Sequence, residues 1–180
     1  MTVKLLDFRT APENILQEVR NWRNDLEVAK YFVIDEISQE VHNNWLNTKI
    51  KNGSDQAFLI MNNDVAEGCV YLRNIDAKNQ TAEFGIFLRP SAPQNQRLGS
   101  KAFYQILDYG FEELKLEKIY LQVFDFNDKA LSLYKKFYFQ IEGKLRKHVV
   151  KSGNRVDINF MGLLKEDWKN NKANLQIKND

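Results

Sequence analysis

A short polar segment, residues 94–100, carries residue types that bind phosphate groups. It leads into residues 98–114, where apolar side chains recur at helical spacing. The first turn of a helix offers unpaired backbone N–H groups and a partial positive charge, which suit a pyrophosphate. Gly99 permits a close approach of the backbone, and Arg97 could add a charge-assisted hydrogen bond. Because many such segments bind no ligand, this one indicates a phosphate site only together with other features.

A second segment, residues 127–139, combines a helix start with a phenol. Asn127 is a suitable N-cap, since its side-chain oxygen can accept hydrogen bonds from the first helical turn. Tyr134 falls on the same predicted apolar face as Phe137, so packing alone would explain it. Neither residue taken separately justifies a functional claim.

Several other chemistries lack the residues that they need. The two histidines, His42 and His148, are far apart in sequence and there is no cysteine cluster, so no metal site is expected. The motifs of nucleotide phosphate loops and of serine nucleophile elbows do not occur. Cys69 lies mid-strand among apolar neighbours, where an inert thiol is expected.

The composition is that of a soluble globular domain. Of the 180 residues, 43% are hydrophobic and 28% are charged. The net charge of +2 predicts neither nucleic acid nor a membrane surface as a partner. A single cysteine, a start without an apolar leader and the lack of any run of ~20 apolar residues favour the cytoplasm.

The spacing of apolar residues predicts the element order β-α-α-β-β-β-α-β-α-β-β. A strand at 81–88, a helix at 98–114 and a strand at 119–124 imply a parallel pair with a right-handed crossover. We therefore expect one α/β (α+β) domain over residues 1–168, with a mixed, mostly antiparallel sheet of about seven strands and about four helices. The polar, Asn- and Lys-rich residues 169–180 are expected to form a mobile tail.

The two chemical segments, in this order and spacing, resemble the GCN5-related N-acetyltransferase (GNAT) superfamily. In the family motif Gln/Arg-x-x-Gly-x-Gly/Ala, Gln94 and Gly99 match the first and last positions, while Arg97 replaces the middle glycine. A downstream motif is matched by Asn127, Ala130, Leu133, Tyr134 and Phe139. The resemblance implies that acetyl-CoA binds where two central parallel strands splay apart.

The resemblance also implies which residues hold the cofactor. Backbone amides of the Arg97 loop would bind the pyrophosphate, the main chain at Phe87 and Leu88 would pair with the pantetheine arm, and Asn127 would hold that arm by hydrogen bonds. The full cofactor set is Phe87, Leu88, Gln94, Arg97, Leu98, Gly99, Ser100, Asn127 and Phe137. If position 97 needs a positive φ, its arginine is strained and the loop is reshaped.

Acetyl transfer from a thioester needs a neutral amine, a donor to the oxyanion and a proton for the thiolate. Tyr134 is the expected general acid, with a hydroxyl that donates without a large pKa shift. Glu83 is a candidate general base, directly or through water, and is equally explained as a paired strand carboxylate. A backbone N–H near Leu88 would hold the oxyanion. His148 is a further candidate base, although a lone histidine more often packs or lies on the surface.

The first two helices and the last hairpin should form the acceptor site, as the family implies. Their aromatic and basic residues resemble the branch that acetylates amino groups of UDP-linked sugars in pseudaminic acid biosynthesis. Aromatic faces suit a uracil or sugar ring, and arginine suits a diphosphate. The predicted acceptor residues are Trp22, Arg23, Asn24, Tyr31, His42, Arg146 and His148.

Three alternatives stay open from the sequence. Ribosomal-protein N-terminal acetyltransferases and spermidine acetyltransferases have similar helices, although spermidine would call for an acidic groove and the last hairpin here is basic. A non-catalytic acyl-CoA-binding module is the third. Exposed edge strands of this fold often pair between subunits, so a homodimer is also expected.

Overall fold

Seven strands and six α-helices make up the regular structure in a computed structural model that describes residues 3–94, 96–175 and 177. The strands are β1 (Val3–Asp7), β2 (Gln56–Asn62), β3 (Val65–Asp76), β4 (Thr81–Leu88), β5 (Lys118–Phe124), β6 (Gln140–Lys151) and β7 (Asn154–Leu164). The helices are α1 (Glu13–Asn24), α2 (Leu26–Ala29), α3 (Gln39–Trp45), α4 (Leu98–Asp108), α5 (Asp128–Lys136) and α6 (Lys165–Asn171). Single π-helical turns extend α3 and α4, over Leu46–Ile50 and Tyr109–Glu113.

The strands form one sheet in the order β1-β2-β3-β4-β5-β7-β6. Only β4 and β5 pair in parallel, and α4 makes the crossover between them. The predicted single α/β domain with a mostly antiparallel sheet of seven strands is therefore confirmed. Two further helices join the predicted four because α2 is too short to show a period and α6 is polar apart from Trp168. No helix in the described part of the chain is long and apolar enough to span a bilayer.

The parallel pair is joined over a short length. Its register runs from Thr81 opposite Lys118 to Glu83 opposite Tyr120, and no pairing continues beyond that point although both strands do. The two strands are held apart from each other because β3 continues along β4 and β7 continues along β5. The sheet therefore opens at its centre, where the resemblance predicts a splay.

Helices cover both faces of the sheet. On one face α1 and α3 pack over Leu59 and Cys69, and on the other α4 packs through Phe103. The Phe103 ring is fully buried and lies 4.3 Å from the ring of Phe84, centre to centre. Burial of one such large side chain contributes about 1.5–3 kcal/mol, so the stripe on α4 fixes the crossover against the sheet.

The chain remains ordered beyond the predicted domain end at 168. The Trp168 indole is fully buried, Lys172 donates to the Asp108 carboxylate, and Leu175 packs on the same core as α4. The predicted mobile tail is thus helical from 169 through Asn174, because an anchored tryptophan and a buried leucine hold it. The boundary itself stays a prediction, and residues 176 and 178–180 lie outside the described residues.

Candidate active site

A cavity occupies the opening between the two central strands. Its walls include residues 83–86 of β4 and residues 122–124 of β5. Arg23 of α1 and Tyr134 of α5 also face it. Because β4 does not pair with β5 after Glu83, the backbone N–H and C=O groups on that edge are available to a ligand. The cavity thus combines an unpaired strand edge with buried polar side chains.

The predicted pyrophosphate loop ends in an unusual backbone conformation. Arg97 is the residue before α4 and has φ 54° and ψ 25°, in the left-handed region. The condition named for this position, a positive φ, is thus met, and an L-residue there costs about 1–2 kcal/mol. A Cβ at Gly99 would meet nothing within 4 Å, so the approach to the first turn of α4 is open. The N–H groups of that turn are the ones that the resemblance assigns to the pyrophosphate.

The other residues predicted to bind the cofactor lie partly at the surface and partly in the core. The Leu98 and Phe137 side chains are buried in the core behind the cavity. Gln94 is exposed and Ser100 is half-buried beside the loop. Phe87 makes an edge-to-face contact with Phe32, their ring centres 5.9 Å apart. Leu98 and Phe137 would therefore position the cofactor loop and α5, with no side-chain face toward the cavity.

Asn127 lies where β5 leads into α5 and lines the cavity. Its Oδ1 atom accepts a hydrogen bond of 3.2 Å from the Ala130 N–H, as the predicted N-cap requires. Its Nδ2 atom has no protein partner among the described residues. Since an amide nitrogen can only donate, Asn127 can offer a donor to a carbonyl of the pantetheine arm.

Tyr134 is enclosed by aromatic rings at the floor of the cavity. The ring centres of Phe84 and Phe103 lie 6.1 Å and 5.7 Å from its own. Burial raises the pKa of the Tyr134 hydroxyl far above its ordinary value, and nearby Tyr71 raises it further. The sequence did not show how completely the ring is enclosed, and so gave no sign of this shift. A thiol has a pKa of about 8.5, so this phenol can donate a hydrogen bond to a thiolate but does not readily give up its proton.

Glu83 faces the cavity as one half of an ion pair. Its Oε1 accepts from Arg73 at 2.6 Å and its Oε2 accepts from Asn74 at 2.9 Å. Asn74 reaches it from a bulge in β3, where its φ is 52°. Since each carboxylate oxygen already accepts a hydrogen bond, proton transfer to Glu83 through a water molecule is easier than direct abstraction.

Arg23 is a buried guanidinium without a carboxylate partner. Its Cζ lies 3.8 Å from the centre of the Phe32 ring, and its Nη2 donates to the Ile34 carbonyl at 2.7 Å. Its Nη1 is buried and, among the described residues, has no hydrogen-bond partner. Burial accordingly lowers the pKa of Arg23. An unsatisfied buried donor costs about 1–3 kcal/mol, which a ligand oxygen in the cavity would recover.

The other predicted acceptor residues on α1 and α3 lie outside the cavity. Trp22 packs in the core on the α1 face of the sheet. The Nε2 atom of His42 lies 2.9 Å from the Leu16 carbonyl, and burial lowers the pKa of this imidazole. Asn24 exchanges two hydrogen bonds with the Ile37 backbone. Of the acceptor set on these helices and the loop between them, Arg23 and Tyr31 are the two that line the cavity.

Arg146 and His148 form part of a separate surface. Both are exposed on a bulge of β6, opposite Asp157 of β7. Asp157 accepts from the Lys147 N–H at 2.7 Å and pairs with Lys144. These contacts account for the bulge, and they place the two predicted acceptor residues away from the cavity.

Several cavity residues were missed from the sequence, among them Phe32, Tyr71, Arg73 and Gln122. A glycine inside a strand is one signal that could have found Tyr71, because Gly85 pairs with it across β3 and β4. Among the described residues, no group of His, Cys, Asp and Glu side chains could hold a metal ion. Cys69 is buried, and burial raises the pKa of its thiol far above the ordinary value.

Comparison with known proteins adds to this geometry. Residues 6–140 match the model of the acetyltransferase (GNAT) domain. The acetyltransferase PseH of Campylobacter jejuni strain 81-176 is 27% identical over 77% of this chain and 85% of its own length. The spermidine N(1)-acetyltransferase of Escherichia coli K12 is 32% identical over 72% of this chain and 70% of its own length.

A solved structure has the same fold over nearly the whole chain. The spermidine N-acetyltransferase of Vibrio cholerae, in complex with CoA and spermine, is similar with a TM-score of 0.84 and 25% sequence identity. The match covers 93% of this chain and 98% of that one. The similar proteins thus include acetyltransferases that are named for a polyamine.

Proposed function

The chain belongs to the GNAT acetyltransferase family and is an acetyl-CoA-dependent N-acetyltransferase, and on that premise we propose that it acetylates the amine of a UDP-linked amino-deoxy sugar. The single observation that carries this proposal is the orphaned Nη1 of Arg23 in the cavity wall. A pyrophosphate or carbonyl oxygen is the group that would satisfy it.

The charges around the cavity favour an anionic acceptor. The charged residues that line it are Arg23, Arg73 and Glu83, and Glu83 already pairs with Arg73. The wall therefore keeps one uncompensated positive charge. A nucleotide diphosphate would be attracted to it, while a polyamine would bring like charges together in a poorly hydrated site.

The mouth of the cavity offers aromatic faces. Tyr31 and Phe126 are 44% and 47% exposed, their ring centres lie 6.5 Å apart and their planes are tilted by 32°. Phe126 also stacks on Phe124 of the cavity wall. A flat base or the apolar face of a sugar stacks on such rings with about 1–3 kcal/mol per base, so these residues support a nucleotide-linked acceptor.

The proposed reaction uses few protein groups. The neutral amine attacks the thioester carbonyl, a backbone N–H near Leu88 stabilises the oxyanion, and the C–S bond breaks as the amide forms. The Tyr134 hydroxyl donates a hydrogen bond to the departing thiolate. The proton that the amine loses passes through water beside Glu83 and ends on the CoA sulfur. Acetyl-CoA supplies the activated acyl group, and the protein supplies position and charge.

Spermidine is the second candidate acceptor. The relatives from E. coli and V. cholerae favour it, since they are at least as similar to this chain as PseH is. The cavity charge opposes it, because no lining carboxylate is left to pair with an ammonium group. N-terminal amines of ribosomal proteins are a third possibility that the cavity does not specifically favour.

An amine screen with acetyl-CoA tests the proposal. CoA release, measured as free thiol, is expected with a UDP-linked 4-amino-deoxy sugar and not with spermidine or N-terminal peptides. Arg23→Met should abolish most of the sugar-dependent release, while Lys144→Met, outside this cavity and without a bond to its walls, should not. Release with spermidine or peptides alone would reject the sugar assignment. A cytoplasmic location and a homodimer stay predictions, and light scattering tests the second.

A further inference from the structure

One wall of the cavity is a strap that begins at the last residue of α2 and has no regular secondary structure after it. The strap, residues 29–37, runs from the end of α2 toward α3 and contributes residues 31–34 to the cavity lining. Val33 and Ile34 remain 49% and 61% exposed, so burial alone does not fix it. Lacking ladder hydrogen bonds, the strap depends on tethers from other elements.

Three residues of α1 tether the strap, and one of them, Arg20, donates from Nη1 to the Ile37 carbonyl at 3.3 Å. Arg23 donates to the Ile34 carbonyl, and Asn24 both donates to and accepts from the Ile37 backbone at 2.8 Å and 2.9 Å. The Arg23 guanidinium is thus oriented by the strap itself, through Ile34 and the Phe32 ring. Movement of the strap would move the cation that faces the acceptor.

A further tether comes from β6, which is distant in sequence. Lys151, the last residue of β6, donates from Nζ to the Ala29 carbonyl at 3.2 Å and forms an ion pair with Asp35. Its Nζ also lies 6.0 Å from the centre of the Phe124 ring, which belongs to the cavity wall. One ammonium group therefore contacts the strap at two points and adjoins β5.

Lys151 is far more buried than Asp35, its ion-pair partner. The Lys151 side chain is 8% exposed and the Asp35 side chain is 78% exposed. An ion pair with one solvent-exposed partner contributes little to the free energy of unfolding. The stability of the fold therefore does not explain why a lysine is buried here. A buried ammonium is costly unless several groups surround it, and these groups are the strap carbonyl, Asp35 and an aromatic ring.

We infer that Lys151 is a positioning residue for acceptor binding: it fastens the strap so that Phe32 and Arg23 keep the geometry that the acceptor meets. The inference rests on the proposed function only in taking this cavity as the acceptor site. Lys151 does not line the cavity itself, and its effect is transmitted through the strap. Its ammonium group bonds to Ala29 and Asp35, which are distant from the first turn of α4 that is assigned to the cofactor.

Hydrogen–deuterium exchange tests the tether without any substrate. Lys151→Met keeps the apolar stem and removes the ammonium, and we expect amides of residues 29–37 to exchange about tenfold faster or more. Lys144→Met is the control, since Lys144 lies on the same strand and pairs only with Asp125 and Asp157. Unchanged exchange of α4 in both variants shows that the fold is kept. Wild-type exchange of the strap in Lys151→Met would overturn the inference.

Steady-state kinetics tests the consequence for the acceptor. The probes are a UDP-linked 4-amino-deoxy sugar and spermidine, each with acetyl-CoA, and KM is measured for whichever amine is acetylated. In Lys151→Met that KM should rise about tenfold while KM for acetyl-CoA stays within about twofold, and Lys151→Arg should restore most of the difference. An equal rise in both KM values, or none, would contradict a positioning role. Turnover with spermidine alone would reject the sugar proposal and leave this test of Lys151 intact.

Discussion

The Tyr71 ring lies directly over Gly85 on the neighbouring strand. A Cβ atom on Gly85 would stand 2.2 Å from the Tyr71 Cζ and 2.3 Å from its hydroxyl oxygen. Both residues line the cavity, so the absence of a side chain at 85 determines where the Tyr71 phenol sits. This pair shapes the acceptor side of the opening between β4 and β5.

Gly85→Ala should therefore displace Tyr71 and partly fill the cavity. We expect a loss of about 1–3 kcal/mol in the free energy of unfolding, since overpacking in a filled core costs that much, and a fall in kcat/KM. Urea unfolding and steady-state kinetics measure the two effects. Gly143→Ala in β6 is the matched control, because a Cβ there would meet nothing within 4 Å. Equal stability of the two variants would show that the Tyr71 contact is not restrictive.

Arg23→Met should separate stability from activity. The variant removes an unsatisfied buried donor together with one hydrogen bond to Ile34, and these effects oppose each other. We expect the free energy of unfolding to change by less than about 1.5 kcal/mol, while kcat/KM for the amine falls at least about tenfold. Denaturant unfolding and kinetics on one preparation check both values. A large loss of stability with unchanged kcat/KM would make Arg23 a packing residue.

Tyr134→Phe should lower kcat and leave the fold intact. The aromatic contacts with Phe84 and Phe103 are kept, whereas the hydrogen bond to the leaving thiolate is lost. We expect kcat to fall by about 10²-fold with KM for acetyl-CoA unchanged. Tyr104→Phe is the control, since Tyr104 packs against Trp168 away from the cavity.

The pH dependence of Tyr134 has a definite sign. Because burial raises its pKa, the hydroxyl stays protonated in the folded protein through pH 10, the usual value of a phenol. The wild-type rate should show no alkaline decline from this group below about pH 10. A decline near pH 8 that Tyr134→Phe removes would contradict its role as a neutral donor.

His42 should make the protein less stable in acid. Burial lowers its pKa, so the unfolded chain binds a proton more readily than the folded one. The contribution of neutral His42 to the free energy of unfolding is fully present above about pH 6.5, the pKa of histidine in the unfolded chain. It is lost as the pH falls through the lower pKa of His42 in the folded protein. His42→Gln should reduce the drop in Tm between pH 7.5 and pH 5. His148→Gln, at the other and exposed histidine, should leave that drop unchanged.

Helices and strands were predicted well from the sequence where apolar residues recur at a single spacing, either helical or alternating. The stripe on α4 and the alternation in β4 each follow a single rule, and the cofactor loop is marked by glycine and by its place before a helix. The conformation of Arg97 could be inferred because the family motif has glycine at that position. Features of this kind depend on residues that are close together in the sequence, so the sequence can predict them.

Other parts of the site depend on contacts between distant residues. Glu83 meets Asn74 only because a bulge in β3 turns that side chain toward β4. Lys151 meets the strap across 116 positions of sequence. His42 and Trp22 look like ligand residues in the sequence but pack between helix and sheet. No pattern within one segment reports such pairings, so these residues could not be placed from the sequence.

The three residue pairs between β4 and β5 also have a mechanical meaning. They divide the sheet into two parts, β1–β4 and β5–β7, which are called plates below. Within each plate, neighbouring strands pair antiparallel. The line between the plates is therefore the most compliant line in the sheet, and rotation about it widens the cleft while every other register is kept. A cofactor that pairs with the free edge of β4 and contacts Asn127 beyond β5 would bridge this line. Cofactor loading should thus stiffen the molecule as a whole, and the plates should move least when both substrates are bound.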